Sequence, residues 1–178
     1  LIVGSLALDL GLLVPEIALV EMPPAVPSDD GNDELRDLLD ASVGVCLGFR
    51  HLAGARDLPL DRVDRLPREF RRSCLFLDLL VENVDRTLAN PNILLWKDQP
   101  WLIDHGSSLS FHYDLGRLTE DSPVQALDIG PTHLFASELA EVSSGVAAWK
   151  KLLPRERFAA AVARVPDDFL QATFPTHE

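Results

Sequence analysis

The chain has 178 residues, of which 47% are hydrophobic and 25% charged, a composition typical of a folded globular domain. Its formal net charge of -12 argues against direct nucleic-acid binding, which needs a basic surface to displace counterions. No run of residues approaches the roughly 18 consecutive apolar positions of a membrane span, and the N-terminus lacks the basic segment of a signal peptide. We therefore expect a cytoplasmic protein without a membrane partner.

The first 66 residues predict short helices and strands. An apolar helical pattern covers residues 1–10 and ends at Gly11. Beyond it, short apolar runs predict strands and a leucine stripe predicts another helix. In chain order these are a strand at residues 17–20, a loop at 23–32, a helix with Leu35, Leu38 and Leu39 on one face, a strand at 43–49 and an irregular stretch at 50–66.

The strongest helical pattern begins at Pro67. Proline suits the first helical position because its missing N–H has no partner there, and Glu69 in the first turn complements the helix dipole. Apolar residues then repeat at helical spacing, which predicts a central buried helix. They are Phe70, Cys74, Leu77 and Val81. Three more helices are predicted near the C-terminus, at residues 132–141 and 154–165 and from Asp167.

A polar segment, residues 83–92, separates this helix from a predicted β-hairpin. The hairpin consists of the apolar runs 93–96 and 101–103, which a four-residue polar turn connects. Because a hairpin brings the start of its first strand next to the end of its second, we expect Asp104 to lie near Asn90 and Asn92.

This arrangement places side-chain oxygens around one point. With Asp85 from the polar segment, the group contains two carboxylates and one or two amide oxygens. Magnesium prefers such hard oxygen ligands and needs only one or two carboxylates besides phosphate and water oxygens. A second carboxylate can orient or deprotonate an attacking hydroxyl. A carboxylate that closes an apolar strand, as Asp104 does, is costly to bury unless it is paired or binds a metal.

The same residues carry a family resemblance. The sequence Asn-Val-Asp-Arg-Thr-Leu-Ala-Asn-Pro-Asn at residues 83–92, with Ile-Leu-Leu-Trp at 93–96 and Trp-Leu-Ile-Asp-His-Gly at 101–106, resembles the catalytic core of HipA-like kinase domains. These are bacterial relatives of the protein kinase and lipid kinase fold. The resemblance extends upstream through Gly-Val-Cys-Leu-Gly-Phe at 44–49 to residues 1–21, and it covers about two thirds of the chain.

The resemblance implies an α+β, protein-kinase-like fold. The chain would form a single domain over residues 1–178, with a partial β-rich N-terminal lobe and linker at 1–49. A mainly helical C-terminal lobe containing the catalytic β-hairpin would follow at 50–178.

The resemblance also implies an ATP- and Mg²⁺-dependent phosphotransferase of the Ser/Thr kinase type. Asp85, with Arg86 beside it, takes the catalytic role and orients the acceptor hydroxyl. The nucleotide site would include Asn90, Asn92, Asp104 and His105, with Asn90 and Asp104 as metal ligands. Asn90 is favoured because it lies five residues after Asp85, but Asn92 directly precedes the Ile93 strand, as the metal-binding asparagine does in many kinase-like proteins. The phosphate acceptor, a protein or a small molecule, is not identified by these residues.

Two of these residues have alternative roles. Arg86 can contact a phosphate or form an intramolecular pair with Asp85, and the pair is favoured. His105 can be a structural histidine or can shape the activation segment.

Other features favour different functions. No lysine precedes Lys97, and no glycine-rich phosphate-binding pattern occurs. We expect these elements in a segment upstream of Leu1, so that the chain is a fragment; without such a segment, a non-catalytic pseudokinase that binds or regulates is the alternative. A third hypothesis is a metal-dependent phosphohydrolase that uses Asp85, Asp104, His105 and His112.

Overall fold

The computed structural model describes residues 1–24, 33–109, 111, 116, 119–122 and 132–171. The described part is an α+β structure with two small antiparallel sheets. Its elements are α1 (Ile2–Asp9), β1 (Ile17–Met22), α2 (Asp33–Ala41), β2 (Gly44–Phe49), β3 (Arg56–Asp57), α3 (Arg68–Leu80), β4 (Ile93–Trp96), β5 (Gln99–Leu102), α4 (Leu139–Leu152), α5 (Arg155–Val162) and α6 (Asp167–Gln171). Short 3₁₀ helices cover Leu60–Arg65 and Ala136–Glu138. None of the described helices combines the length and apolar character that crossing a bilayer requires.

Internal contacts divide the chain into two units. The larger unit contains residues 1–14 and 52–164, and the smaller contains residues 15–51 and 165–178. Helix α1 thus belongs with the helical unit rather than with the strands that follow it. The expected lobes, residues 1–49 and 50–178, stay a prediction.

The larger unit is built around α3, which confirms the predicted central helix. All residues from Ser73 to Asp78 are buried, so this part of α3 is covered on every side. Helix α4 packs against it through Phe76 and Trp149, whose rings stack with centroids 5.0 Å apart. Helix α1 contacts both α3 and α5, and Leu6 and Ala7 of α1 are fully buried. This core fixes the C-terminal end of α3, from which the polar segment begins.

The predicted hairpin is confirmed, with a shorter turn. Strands β4 and β5 pair from Ile93 opposite Leu102 to Trp96 opposite Gln99, and β3 pairs with the outer edge of β4. The turn therefore has two residues, Lys97 and Asp98, with φ of 50° and 58°. Two consecutive positive φ angles match the right-handed twist of paired strands, which is why two-residue hairpins favour this turn type.

Other boundaries differ from expectation. The helix predicted over 132–141 begins only at Leu139 and continues to Leu152. The backbone before this helix pairs with the polar segment instead: Leu134 N–H donates to the Arg86 carbonyl at 2.9 Å, and His133 forms a β-bridge with Thr87. The stretch expected to be irregular, 50–66, contains β3 and a 3₁₀ helix.

In the smaller unit, β1 and β2 form a two-stranded sheet that confirms both predicted strands. They pair from Ile17 opposite Phe49 to Met22 opposite Gly44. The predicted leucine-striped helix is α2, of which no residue is buried. Residues 25–32 of the predicted loop lie outside the described part of the chain.

Candidate active site

The polar loop, residues 83–92, begins by folding back on the end of α3. Glu82 has a φ of 57°, which reverses the chain after the helix. Asn83 N–H then donates to the Asp78 carbonyl at 2.9 Å, and the Asn83 side-chain oxygen accepts from Asp85 N–H at 3.2 Å. Asn83 is fully buried, so these bonds connect the backbone of Asp85 to the buried end of α3.

The Asp85 carboxylate accepts hydrogen bonds from both asparagines of the sequence hypothesis. Asn90 Nδ2 donates to Asp85 Oδ2 at 2.9 Å, and Asn92 Nδ2 donates to the same oxygen at 3.4 Å. Since the two amide nitrogens face the carboxylate, the amide oxygens are turned away from it. Asp85 itself is half-buried, whereas Asn90 is exposed and Asn92 is buried. The loop thus brings together Asp85, Asn90 and Asn92.

A tight turn sets the position of Asn90. Thr87 N–H donates to the Asn90 carbonyl at 3.0 Å, and Asn90 N–H donates to Thr87 Oγ1 at 3.1 Å. The two bonds close residues 87–90 into a compact turn in which Asn90 reaches back to Asp85.

The hairpin places Asp104 next to Asn92. Ile103 N–H donates to the Asn92 carbonyl at 3.0 Å, so the β4–β5 pairing continues one step beyond the strands. Asp104 follows with a φ of 49° and an exposed side chain whose Oδ1 accepts from Gly106 N–H at 3.2 Å. Asn92 is therefore the residue that links the two parts of the site: its side chain contacts Asp85, and its carbonyl pairs with the residue before Asp104.

Beneath the loop lies a buried polar group, here called the Asp78 cluster. Its side chains converge on the carboxylate of Asp78, which is 0% exposed. The cluster consists of Asp78, Arg86, Asn83, His133 and Cys74. Arg86 Nε donates to Asp78 at 2.6 Å, Asn83 Nδ2 at 2.9 Å, and Cys74 Sγ lies 3.5 Å from it.

Arg86 pairs with Asp78 rather than with Asp85, the partner expected from the sequence. The guanidinium is 0% exposed and extends between the helix and the loop. Its Nη1 donates to the carbonyls of Pro91 at 3.1 Å and Asn92 at 2.7 Å. An arginine that is fully enclosed and has these partners does not present its charge to a phosphate at the surface.

His133 joins the cluster as a neutral imidazole. Its Nδ1 accepts from Phe135 N–H at 3.0 Å, so the proton lies on Nε2, which donates to Asp78 at 3.1 Å. The segment around His133 also pairs with the backbone of Arg86 and Thr87. The polar loop is thus bound from below by α3 and from one side by residues 133–134.

The charges of the cluster follow from this geometry. Burial alone would raise the pKa of Asp78, but the positive charge of Arg86 and the hydrogen bonds from His133 and Arg86 outweigh it and lower that pKa. Burial, together with the nearby Asp78 carboxylate, raises the pKa of the Cys74 thiol, which therefore stays protonated. Asp78 and Arg86 form an ion pair with a protonated thiol beside it.

His105 lies directly after Asp104. Both ring nitrogens are inaccessible to solvent and have no hydrogen-bond partner in the described part of the chain. Burial first, and the positive charge of Arg86 second, lower its pKa to about 4, so the ring is neutral near pH 7. Neither nitrogen is presented to a nucleotide, and a packing role fits this ring better than a ligand role.

Oxygen atoms are the side-chain donors that the site offers to a cation. The Asp104 carboxylate is exposed, and Ile103, the residue before it, pairs with the Asn92 carbonyl. The Asp104 carboxylate oxygens and the Asn92 amide oxygen are both hard donors. Within the described ranges, no three His, Cys, Asp or Glu side chains form a group that could hold a metal ion. A transition-metal hydrolase site using His105 is disfavoured because its nitrogens are buried, and His112 lies outside the described residues.

An α+β fold in which a polar loop leads into a hairpin that ends at an aspartate is compatible with a kinase-like protein. The chain belongs to the HipA-like kinase family, whose family model matches residues 1–167. This match confirms the resemblance and extends it past the first two thirds of the chain. Searches of curated proteins and of solved structures found no match.

Sequence reasoning missed two residues of the site region, Asp78 and His133. A signal for Asp78 existed, because it is the one charged residue within the apolar turns of α3, and a buried acid requires a partner. His133 gave no comparable signal, since its partner is 55 residues away in the sequence.

Proposed function

We propose that the chain is the catalytic part of an ATP- and Mg²⁺-dependent phosphotransferase. The observation that carries this proposal is the position of Asn92, which contacts Asp85 through its side chain and pairs with the backbone next to Asp104. Membership of the HipA-like kinase family supports phosphoryl transfer as the reaction class.

Asp85 takes the role of the group that orients the acceptor hydroxyl. The amide N–H groups of Asn90 and Asn92 orient its carboxylate. Its other oxygen, Oδ1, accepts no hydrogen bond from the described residues and would accept the hydroxyl proton. Phosphoryl transfer requires little of a protein beyond such positioning and neutralisation of charge. A Ser or Thr side chain is the acceptor that the family resemblance suggests.

Asp104 and one asparagine would hold the magnesium ion. When bound, the ion would neutralise charge on the nucleotide phosphates. Of the two candidates we favour Asn92 over Asn90, contrary to the spacing argument, because the Asn92 carbonyl pairs with Ile103, the residue before Asp104. Asn90 then serves to orient Asp85. Arg86, initially placed among the catalytic residues, becomes a positioning residue because it is enclosed.

The first test is calorimetric titration of ATP into the chain, with and without magnesium, for the unchanged protein and for Asp104→Asn. Asparagine tolerates the φ of 49° and can still accept from Gly106 N–H, so the variant removes the charge and little else. We expect magnesium-dependent binding that Asp104→Asn weakens by about tenfold or more. Equal affinity of both proteins for Mg-ATP would refute the metal assignment.

A second comparison separates the two asparagines. Asn92 has a φ of 50°, so glycine is the replacement that removes its amide without backbone strain. Asn92→Gly should weaken magnesium-dependent ATP binding by about tenfold, whereas Asn90→Gly should leave binding almost unchanged and slow transfer. The reverse order would reinstate Asn90 as the ligand.

A non-catalytic nucleotide-binding module is the second candidate. The observation that favours it is the position of Lys97. Lys97 lies in the β4–β5 turn, over the Trp96 ring at 4.2 Å, and thus at the opposite end of the hairpin from Asp104. Incubation with γ-labelled ATP decides between the phosphotransferase and the binding module. Release or transfer of the label that is lost in Asp85→Asn indicates catalysis, whereas tight binding of ATP without turnover indicates the binding module.

A further inference from the structure

We propose that Asp78 is a positioning residue for the phosphotransfer site: through Arg86 and Asn83 it fixes the backbone of the polar loop so that Asn92 lies between Asp85 and Asp104. This inference rests on the proposed function for its catalytic consequence, but its structural part can be tested independently.

The first connection runs through Arg86. One side of the guanidinium binds Asp78 through Nε, and the other side, Nη1, binds the carbonyls of Pro91 and Asn92. A planar guanidinium fixes the angle between these directions, so the position of the Asp78 carboxylate determines where the two carbonyls lie. A lysine ammonium in the same place would carry the charge but could not span both sides.

The Asn92 carbonyl is where this connection meets the hairpin. It accepts from Arg86 Nη1 at 2.7 Å and from Ile103 N–H at 3.0 Å, which occupies both of its lone pairs. Any displacement of this carbonyl moves the Asn92 amide relative to Asp85 and also disturbs the backbone just before Asp104. The positive φ of Asn92 is thus stabilised from both sides.

The second connection runs through Asn83. Its Nδ2 donates to Asp78 Oδ1 at 2.9 Å, and its side-chain oxygen accepts from Asp85 N–H at 3.2 Å. One buried carboxylate is therefore linked to the backbone of Asp85 on one branch and to that of Asn92 on the other. Arg86 binds Oδ2 of Asp78 through Nε and reaches Oδ1 through Nη2 at 3.5 Å, and Asn83 binds Oδ1. The orientation of the Asp78 carboxylate therefore sets both branches.

A purely structural role is the competing explanation, since removing any buried ion pair destabilises a protein. Arg86→Lys separates the two roles because it keeps a positive charge near Asp78 and loses the contacts to the loop carbonyls. Glu138→Gln is the matched control. Glu138 is 6% exposed and pairs with two arginines of α3, Arg71 at 2.8 Å and Arg72 at 2.9 Å. The variant therefore also removes a buried carboxylate charge that pairs with α3, but one that does not contact the polar loop.

The experiment is hydrogen–deuterium exchange of the unliganded proteins, compared peptide by peptide. In Arg86→Lys, amides of the polar loop and of Ile103 should exchange at least about tenfold faster, while α1 and α5 keep their protection. In Asp78→Asn, which also destabilises the larger unit as a whole, exchange of the polar loop should increase more than exchange of α1 and α5. Glu138→Gln should leave loop exchange unchanged. Loop exchange in Arg86→Lys equal to that of the unchanged chain would overturn the proposal.

A measurement without substitutions covers the case in which the variants fail to fold. In the ¹⁵N spectrum of the unchanged chain, the Arg86 Nε–H signal should exchange with water far more slowly than those of exposed arginines. Rapid exchange of that proton would mean that Arg86 does not stay bound to Asp78, and the proposal fails.

The catalytic consequence is read from the magnesium dependence of ATP binding. A displaced Asn92 should raise the magnesium concentration at half-saturation about tenfold in Arg86→Lys, whereas Glu138→Gln should not change it. If the unchanged chain does not bind Mg-ATP, the proposed function fails, and loop exchange alone then decides whether Asp78 positions the loop. An unshifted midpoint in an Arg86→Lys protein that binds Mg-ATP would refute the catalytic part of the inference.

Discussion

Replacement of Asp78 by asparagine should destabilise the larger unit strongly. Asp78 and Arg86 are both 0% exposed and their charged atoms are 2.6 Å apart. Removing one partner of a buried pair costs about 3–5 kcal/mol, because the other charge stays buried without compensation. An exposed pair is worth about 0–1 kcal/mol. Asp9 and Arg157, whose side chains are 24% and 58% exposed, provide a much more accessible reference pair in the same unit.

The asparagine variant also breaks hydrogen bonds. Asp78 Oδ2 accepts from Arg86 Nε and His133 Nε2, and Oδ1 accepts from Asn83 Nδ2. An amide offers only one oxygen, so at least one buried donor loses its acceptor whichever way the group is turned. This loss acts in the same direction as the loss of charge.

A double-mutant cycle with Arg86→Met tests the explanation itself. If the main cost of Asp78→Asn is the unpaired guanidinium, then removing that charge should recover part of the stability. We expect the double variant to be more stable than the sum of the two single losses predicts, with a coupling energy of about 1–3 kcal/mol.

The assay is urea unfolding followed by tryptophan fluorescence. Trp149 stacks on Phe76 within the same core, so its emission reports on the packing of α3 and α4. With an m-value of about 2 kcal/mol per M, a loss of about 3–5 kcal/mol lowers the midpoint by about 1.5–2.5 M. Asp9→Asn should shift it by less than about 0.5 M. Equal shifts for the two variants, or strict additivity in the cycle, would refute the reasoning.

Three further predictions follow from the same structure. Because the pKa of Asp78 is lowered in the folded chain, the contribution of its carboxylate to stability is complete above about pH 4 and is lost as the pH falls through the folded-state pKa. The difference in unfolding free energy between the unchanged chain and Asp78→Asn should therefore be constant from about pH 7 to 5 and should shrink below about pH 4. Burial of His105 should also make the chain more stable at higher pH. It lowers the pKa of His105 from 6.5 to about 4, so the unfolded chain binds more protons between these pH values and the free energy of unfolding rises with pH there. In thermal unfolding of the metal-free chain, His105→Phe should flatten the dependence between those values, and an unchanged slope would contradict the burial of the ring. Asp98→Gly should raise the unfolding free energy by about 0.5–1 kcal/mol, because Asp98 has a φ of 58° that glycine adopts without strain; a lower urea midpoint would mean that the turn is not strained.

The sequence predicted the elements that local patterns determine. The central helix follows from apolar spacing after Pro67, and the hairpin follows from two apolar runs around a polar turn. Once the hairpin is correct, the proximity of Asn92 and Asp104 follows from strand pairing alone. The pairing of the Asn92 backbone with the residue before Asp104 could therefore be predicted without any knowledge of tertiary packing, whereas the arrangement of the side chains stays a prediction.

What the sequence did not predict depends on long-range contacts. The helix expected to begin at Thr132 begins at Leu139, because the backbone at 133–134 pairs with the polar loop instead. Arg86 was expected to pair with its neighbour Asp85, yet it pairs with Asp78, eight residues earlier on α3. Both errors have one cause: local propensity cannot reveal that the loop is enclosed by segments from elsewhere in the chain.

The choice between Asn90 and Asn92 shows the same limit at the level of a single side chain. The spacing of five residues from Asp85 favours Asn90 as the metal ligand, whereas the position directly before β4 favours Asn92. The side-chain amides of both asparagines donate to Asp85, so this contact does not show which of the two is the better candidate for the metal ligand. The difference lies in the backbone, where only Asn92 is paired with the residue before Asp104. Roles in such a loop depend on what each backbone carbonyl contacts, which spacing alone does not encode.

The Asp78 cluster is better explained by geometry than by stability. Replacing a buried ion pair by well-packed apolar side chains is often neutral or stabilising, so a hydrophobic pair at positions 78 and 86 could support the fold equally well. Such a pair could not donate to the Asn92 carbonyl or, through Asn83, fix the backbone of Asp85. The carbonyl would then keep only its bond from Ile103, and the loop would be free to move about the end of the hairpin. A buried charge is costly wherever it occurs, and here it lies where its hydrogen bonds determine the relative positions of Asp85, Asn92 and Asp104.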